Sequence, residues 1–146
     1  MLDSGMGELV RRIADLERRA ARLEETEQGP GPVFLTTQLT SASWDGDAKT
    51  SANNGIIDLS AVFGAPAGVK AVLVSMNVYS ATGQLSVSIK PDSDASSAPP
   101  LNAHTVAAGY SSRSAWVPCD ANGDVYFLHG SATAATVWIE IWGYAL

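Results

Sequence analysis

Apolar residues near the start of the chain recur at alternating steps of four and three positions. Such a heptad repeat is typical of an α-helix whose apolar seam packs against partner helices. The intervening positions are mostly Arg, Glu and Ala, which favour helix. Gly29-Pro30-Gly31-Pro32 then ends the pattern, because proline cannot continue a helix. The seam residues are Leu2, Met6, Leu9, Ile13, Leu16, Ala20 and Leu23.

Charged residues flank this seam in a repeated order. Arg12 and Glu17 stand at the g and e positions, and Arg19 and Glu24 repeat the arrangement one heptad later. Both match an Arg-h-x-x-h-Glu pattern, with h apolar, in which the arginine stem covers the seam and its guanidinium meets a neighbour's Glu. We therefore predict a trimeric coiled-coil helix over residues 1–28. The small Ala20 at a favours two strands instead, and packing of the stripe on the chain's own globular domain is the other alternative.

After a hinge at residues 29–32 the apolar period changes to two. Segments rich in Val, Ile, Thr, Trp and Tyr alternate with turns of Gly, Asn and Asp. No segment after residue 32 has a clear helical pattern. We predict an all-β fold over residues 33–146, a jelly-roll-like antiparallel β-sandwich. The predicted strands are Val33–Gln38, Gly55–Ser60, Val69–Ser80, Gln84–Lys90, Ala103–Ala107, Ser114–Cys119, Val125–His129 and Ala135–Tyr144.

The last predicted strand carries large apolar groups on both faces. One face is aliphatic and is expected to fill the core. The other face holds Trp138, Glu140, Trp142 and Tyr144. A monomer rarely exposes such a row, so these residues are predicted to form an interface between head domains. A loop that covers the row is the alternative.

Charge and cysteine content exclude several classes of function. The formal net charge of −6 argues against nucleic acid as a partner. No apolar run reaches the length of a transmembrane helix, and the start of the chain is too charged for a secretion signal, so no membrane insertion is expected. Cys119 is the single cysteine, which excludes an intrachain disulfide, and we expect a buried thiol.

Candidate chemistry is sparse. His104 and His129 belong to no metal-binding spacing, and no Gly-x-Ser-x-Gly nucleophile elbow occurs. Glu140 lies between two tryptophans, but glycoside hydrolysis needs a pair of carboxylates. The loops 45–47 and 120–124 offer oxygen ligands for calcium, although Asx turns explain both. We predict no catalytic residue, no metal and no cofactor.

Aromatic residues beside polar loops are the best candidates for ligand contact. Aromatic rings stack on sugar rings, and Asp or Asn can hold the hydroxyl groups. Trp44 with Asp45, Tyr110 and Trp116 fit this description. A place in the core or in an interface is the alternative for each of them.

The layout resembles that of bacteriophage virion appendage proteins: tail-fibre or receptor-binding knobs, head fibres and capsid decoration proteins. The features that match are the coil signatures at Arg12–Glu17 and Arg19–Glu24, the hinge at Gly29–Pro32 and a β-domain rich in Ser, Thr, Ala and Gly. The stretch Ile57–Ala71 is also similar to phage fibre heads, as a strand, a proline turn and a second strand.

The resemblance implies that the N-terminal segment docks on other virion proteins, of the tail or the capsid. Three heads then point outward and bind the host-cell surface, where the ligand is a glycan or a protein. A decoration or head-fibre protein that stabilises the phage shell is the first alternative, and a small glycan-active enzyme is the second. We expect a non-enzymatic homotrimer, synthesised in the host cytoplasm and located in the extracellular virion.

Overall fold

The computed structural model describes residues 10, 12–18, 31–94, 98–106 and 108–146. The chain divides into two compact units, residues 1–31 and 32–146. Within the described part of the chain, no helix is long and apolar enough to cross a membrane.

The described part of the first unit is helical at residues 10 and 12–18, as the heptad pattern predicts. Ile13 and Leu16 are the seam residues that fall in this segment. The other predicted coil residues lie outside the described residues, as do Gly29 and Pro30 of the hinge. These coil residues are Leu2, Met6, Leu9, Arg19, Ala20, Leu23 and Glu24.

The described part of the second unit consists of nine strands, one α-helix and one 3₁₀ turn. The elements are β1 Val33–Leu39, β2 Asp47–Lys49, a 3₁₀ turn Ser51–Asn53, β3 Gly55–Ile57, α1 Leu59–Phe63, β4 Ala71–Ser80, β5 Leu85–Lys90, β6 Leu101–Thr105, β7 Gly109–Pro118, β8 Val125–His129 and β9 Ala135–Ala145.

The strands form two antiparallel sheets. In the first sheet the order is β1-β9-β4-β7, with β2 also paired to β9, and in the second it is β3-β8-β5-β6. β1 follows the C-terminal part of β9 and β2 follows its N-terminal part. The predicted all-β fold with antiparallel sheets is confirmed.

The core lies between the inward faces of the sheets, where the period of two places the aliphatic residues. Each fully buried side chain of this kind stabilises the fold by about 1.5–3 kcal/mol. Phe127 from the second sheet is the largest apolar side chain at the centre. The inward residues include Val72, Val74, Met76 and Val78 of β4, Val137, Ile139 and Ile141 of β9, and Val87, Ile89, Leu101, Ala103 and Val125 of the second sheet.

One predicted strand is wrong in its second half, since Gly55–Ser60 keeps strand structure only to Ile57 and then enters helix α1. The Asp58 carboxylate accepts from the Ala61 N–H at 2.9 Å and caps the helix. Gly64 ends it with a φ of +72°, which glycine adopts freely. The expectation that residues after 32 contain no helix, and that Ile57–Ala71 is strand, turn and strand, is corrected accordingly.

Two further differences concern strands of the first sheet. β7 begins at Gly109 rather than Ser114, because its first half is polar and pairs with β4 through the backbone. In β9 the register shifts between the partners of Leu73 and Val74, which pair with Gly143 and Ile141. This β-bulge moves the following residues to the opposite face.

Candidate ligand-binding site

The outer face of the first sheet gathers side chains that alternate with the core residues. Residues opposite each other in antiparallel strands point to the same side, so the pairing defines rows across the face. Tyr79 is paired with Tyr110, and Asn77 lies between Ser112 and Trp138. These adjacent rows bring three aromatic rings to one end of the face.

A cleft of about 340 Å³ lies at this end, lined by Asn77, Tyr110, Trp138 and Glu140. Tyr110 is 74% exposed. Its ring centroid lies 4.6 Å from that of Tyr79 and 6.4 Å from that of Trp138, with the planes tilted by 35° and 31°. Contacts between rings at such spacings are favourable, so they orient Tyr110 although solvent reaches most of it.

The indole of Trp138 is bordered by Gly46, which precedes β2. The Gly46 N–H donates to the Val137 carbonyl at 3.0 Å, and its φ of +84° lies in the region that favours glycine. A Cβ at this position would stand 3.2 Å from Nε1 of Trp138. The glycine therefore lets the loop approach the indole without displacing it.

Glu140 is the charged residue among the four that line the cleft. The indole N–H of Trp142 donates to Oε2 of Glu140 at 3.1 Å. A carboxylate has about four acceptor positions on two oxygens, so this bond orients the group and leaves acceptors for a ligand. Among the described residues no second carboxylate lines the cleft, whereas glycoside hydrolysis uses a pair of carboxyl groups.

A second aromatic pair lies on the same face at the opposite end of the rows. Phe34, which is 66% exposed, and Trp116 meet edge to face with centroids 5.9 Å apart. Gly143 lies between them in the sheet, and a Cβ there would be 3.4 Å from the Trp116 ring. The missing side chain leaves room for the indole to reach toward Phe34.

The four predicted ligand residues do not come together. Tyr110 lines the cleft, whereas Trp116 lies at the other end of the face. Trp44 packs edge to face on Phe127 of the core at 4.8 Å, and the Lys49 ammonium lies 4.3 Å from its ring centre. Trp44 thus has a structural place, and Asp45 beside it does not line the cleft.

One cleft residue, Asn77, was not predicted from the sequence, and two others, Trp138 and Glu140, were assigned to an interface between head domains. Asn77 belongs to β4, whose outward residues alternate with an apolar series. That alternation shows that Asn77 and Tyr79 share a face, but only the pairing of β4 between β7 and β9 places them beside Tyr110 and Trp138.

The residues of the predicted interface between head domains are half-buried through contacts within one chain. Trp138 lies beside Gly46 and Tyr110, and Trp142 bonds to Glu140. The prediction that Tyr144 shares their face is wrong: after the bulge it pairs with the inward-facing Val72 and packs against the core. A subunit interface at the other three residues stays a prediction.

The acidic loop before β8 forms Asx turns, as the simpler sequence interpretation has it. Oδ1 of Asp120 accepts from the N–H groups of Asn122 and Asp124 at 2.8 and 2.9 Å. In the described residues no three His, Cys, Asp or Glu side chains form a group that could hold a metal ion. Burial, followed by the nearby charges of Asp120 and Asp124, raises the pKa of the Cys119 thiol to about 12, so this half-buried thiol is a poor nucleophile.

The described helical segment carries exposed apolar side chains. Ile13 is 48% exposed and Leu16 is 63% exposed, and a spacing of three places them on the same side of the helix. Val10 is exposed as well. Side chains of this type are usually covered, so the segment carries a surface suited to partner helices.

The chain matches no protein-family model, and no curated protein is similar to it.

Proposed function

We propose that this protein is a homotrimeric fibre protein of a bacteriophage virion, whose β-sandwich head binds the host-cell surface through the cleft at Tyr110 and Trp138. The helical segment joins the copies, and other virion proteins hold its N-terminal end. The head acts by binding and not by catalysis.

The head is proposed to be a jelly roll. The sheet orders β2-β9-β4-β7 and β3-β8-β5-β6 support this. From β2 to β9, each strand belongs to the sheet opposite that of the strand before it, except that β5 and β6 form a hairpin within one sheet. This connectivity is that of a double-sheet fold with two Greek keys. β1 is then an additional strand, which pairs with β9 beyond the part that pairs with β2.

The observation that carries the binding role is the composition of the cleft. Tyr110 and Trp138 contribute two aromatic rings to the cleft. The side chains of Asn77 and Glu140 contribute its polar groups. Binding sites for small ligands combine a largely apolar lining with a few placed polar groups in this way. The four side chains stand on paired strands and not on loops, so their positions are fixed before a ligand arrives.

The seam of the helical segment supports the trimer. Exposed Ile13 and Leu16 become buried when three helices associate, and the Arg12 and Glu17 positions flank them. Three heads on one stalk bind a repeated surface with a high effective concentration after the first contact. Weak binding at one cleft is therefore sufficient for firm attachment.

The test uses labelled full-length protein, a panel of bacterial strains that differ in surface polysaccharide, and purified phage capsids. We expect binding to some of the strains, and its loss in Tyr110→Ala. Ile56→Ala is the matched control, because Ile56 is 68% exposed and belongs to β3 of the second sheet. The control should bind cells as the wild type does.

Other outcomes would favour the competing functions. Binding to capsids without binding to any cells would overturn the proposal in favour of a decoration protein. Degradation of the bound polysaccharide, lost in Glu140→Gln, would instead indicate a glycan-active enzyme. Full cell binding by Tyr110→Ala would exclude the cleft as the attachment site.

A further inference from the structure

We infer that the cleft selects an uncharged sugar ring and rejects acidic sugars, an inference that rests on the proposed binding function. The size of the cleft, its two aromatic rings, its acceptor groups and the charges around it all favour such a ligand.

The size of the cleft suits a small part of a glycan. Its volume of about 340 Å³ is at the lower end of the range for small-molecule sites, about 300–1,000 Å³. It is bordered by Tyr110, which is 74% exposed. A saccharide end can therefore enter the cleft while the rest of the chain stays in solvent.

The aromatic rings favour a ligand with an apolar C–H face. The planes of Tyr110 and Trp138 are tilted by 31°, with centroids 6.4 Å apart, so the cleft is flanked by two rings that are not stacked face to face. The face of an aromatic ring carries partial negative charge. It attracts the weakly positive C–H groups on one side of a pyranose, and this contact does not depend on a charge of the ligand.

The polar groups of the cleft accept hydrogen bonds from hydroxyl groups. Glu140 is an acceptor, and its carboxylate is oriented by the N–H of Trp142 at 3.1 Å. Asn77 supplies a side-chain amide, which both donates and accepts. A sugar with neighbouring hydroxyl groups satisfies both residues, and a hydrogen bond to a carboxylate is stronger than one to a neutral acceptor.

The charges around the cleft disfavour an anionic ligand. Among the described residues neither Lys nor Arg lines the cleft, and Glu140 places a negative charge there. After the hinge the basic residues are Lys49, Lys70, Lys90 and Arg113.

None of these four cations is among the described residues that line the cleft. Lys49 and Lys90 are buried and donate to the carbonyls of Ser43 and Asp94. Arg113 pairs with the inward-facing Met76 on the edge strand, and Lys70 precedes the far end of β4. The net charge of −6 adds a general repulsion of anions.

The experiment compares matched sugars that differ in charge. Isothermal titration calorimetry of the full-length protein is carried out with oligosaccharides of glucose and galactose, and with those of their acid partners, glucuronic and galacturonic acid. We expect binding to at least one neutral sugar, and binding of its acid partner weaker by about tenfold or more at low salt. In Glu140→Gln this discrimination should shrink, since the variant keeps the shape and loses the charge.

The controls separate this inference from the proposed function. Tyr110→Ala should weaken binding of every sugar, and Ile56→Ala should change none. A preference for the acidic partner would overturn the inference, while loss of that binding in Tyr110→Ala would leave the proposed attachment site intact. The absence of binding to all of these sugars would also overturn the inference, and the cell-binding experiment would still test the proposed function.

Discussion

The side-chain amide of Asn54 brackets the backbone of His129: its Oδ1 accepts from the His129 N–H at 2.6 Å, and its Nδ2 donates to the His129 carbonyl at 3.2 Å. Asn54 immediately precedes β3, which pairs with β8 from Gly55 onward. The amide therefore satisfies the backbone of β8 where the ladder of the second sheet ends, and it ties the 3₁₀ turn to the sheet.

Replacement of Asn54 by alanine should destabilise the head. The substitution removes both bonds and leaves a donor and an acceptor of a buried residue without partners, which costs about 1–3 kcal/mol. Urea unfolding at a fixed protein concentration measures the change. Asn122→Ala is the control, because Asn122 is exposed, and its effect should stay within about 0.5 kcal/mol. Equal stability of the two variants would show that the two hydrogen bonds of the Asn54 side chain contribute nothing to the free energy of unfolding.

His129 should make the stability of the head depend on pH. The residue is 1% exposed, its Nδ1 accepts from the Ser131 N–H at 3.0 Å, and its Nε2 has no hydrogen-bond partner among the described residues. Burial lowers the pKa of His129 below its ordinary value of 6.5. The unfolded chain therefore binds a proton before the folded one does, and stability falls as the pH drops below about 6.5.

The slope of this loss is at most about 1.4 kcal/mol per pH unit. Thermal unfolding between pH 7.5 and 5 measures it in the wild type, in His129→Gln and in His104→Gln, whose histidine is exposed. Only His129→Gln should have a flatter profile. Asp124, whose pKa burial raises, acts in the opposite sense but is common to all three proteins. Identical profiles in the two variants would contradict the assignment.

The sequence predicts most of the fold where alternation is strict. The predicted strand Val125–His129 coincides with β8. Three inward residues alternate there with outward ones, and turns that contain Asp or Gly precede and follow the strand. The helix α1 was missed, although Asp58 and Gly64 are typical cap residues at its two ends. Their spacing leaves a helix of five residues, which is too short to show a periodic pattern.

The candidate site was predictable only in part. Alternation within the last strand placed Trp138 and Glu140 on one face, whereas Tyr110 was predicted as a ligand residue because it stands beside a polar loop, outside any predicted strand. Their convergence with Asn77 depends on which strands are neighbours, and a single sequence does not encode that order in any local pattern. The bulge in β9 is likewise a product of pairing, and it alone explains why Tyr144 leaves the face of Trp138.

Gly143 should not tolerate a side chain. A Cβ at this residue would stand 2.7 Å from the carbonyl oxygen of Val33 and 3.4 Å from the ring of Trp116. The first contact is with backbone, so β1 must move away from β9, and we expect Gly143→Ala to destabilise the head by about 1–3 kcal/mol. Gly83→Ala is the control, because no atom lies within 4 Å of its Cβ position. Urea unfolding should leave this control close to the wild type, and an equal loss in both would refute the steric explanation.

Ile13 should determine whether the copies stay together. If Ile13 faces partner helices, Ile13→Asp places carboxylates in the seam, where an unpaired charge costs several kcal/mol. The full-length protein should then sediment as three chains of 15.2 kDa, and the variant as separate chains. Arg18→Ala is the control, since Arg18 is exposed and donates to the Ala14 carbonyl of its own helix at 3.3 Å. A trimer that survives Ile13→Asp would mean that the heads themselves hold the assembly. If the wild type sediments as one chain, the proposed trimer is wrong, and each head would bind through its single cleft.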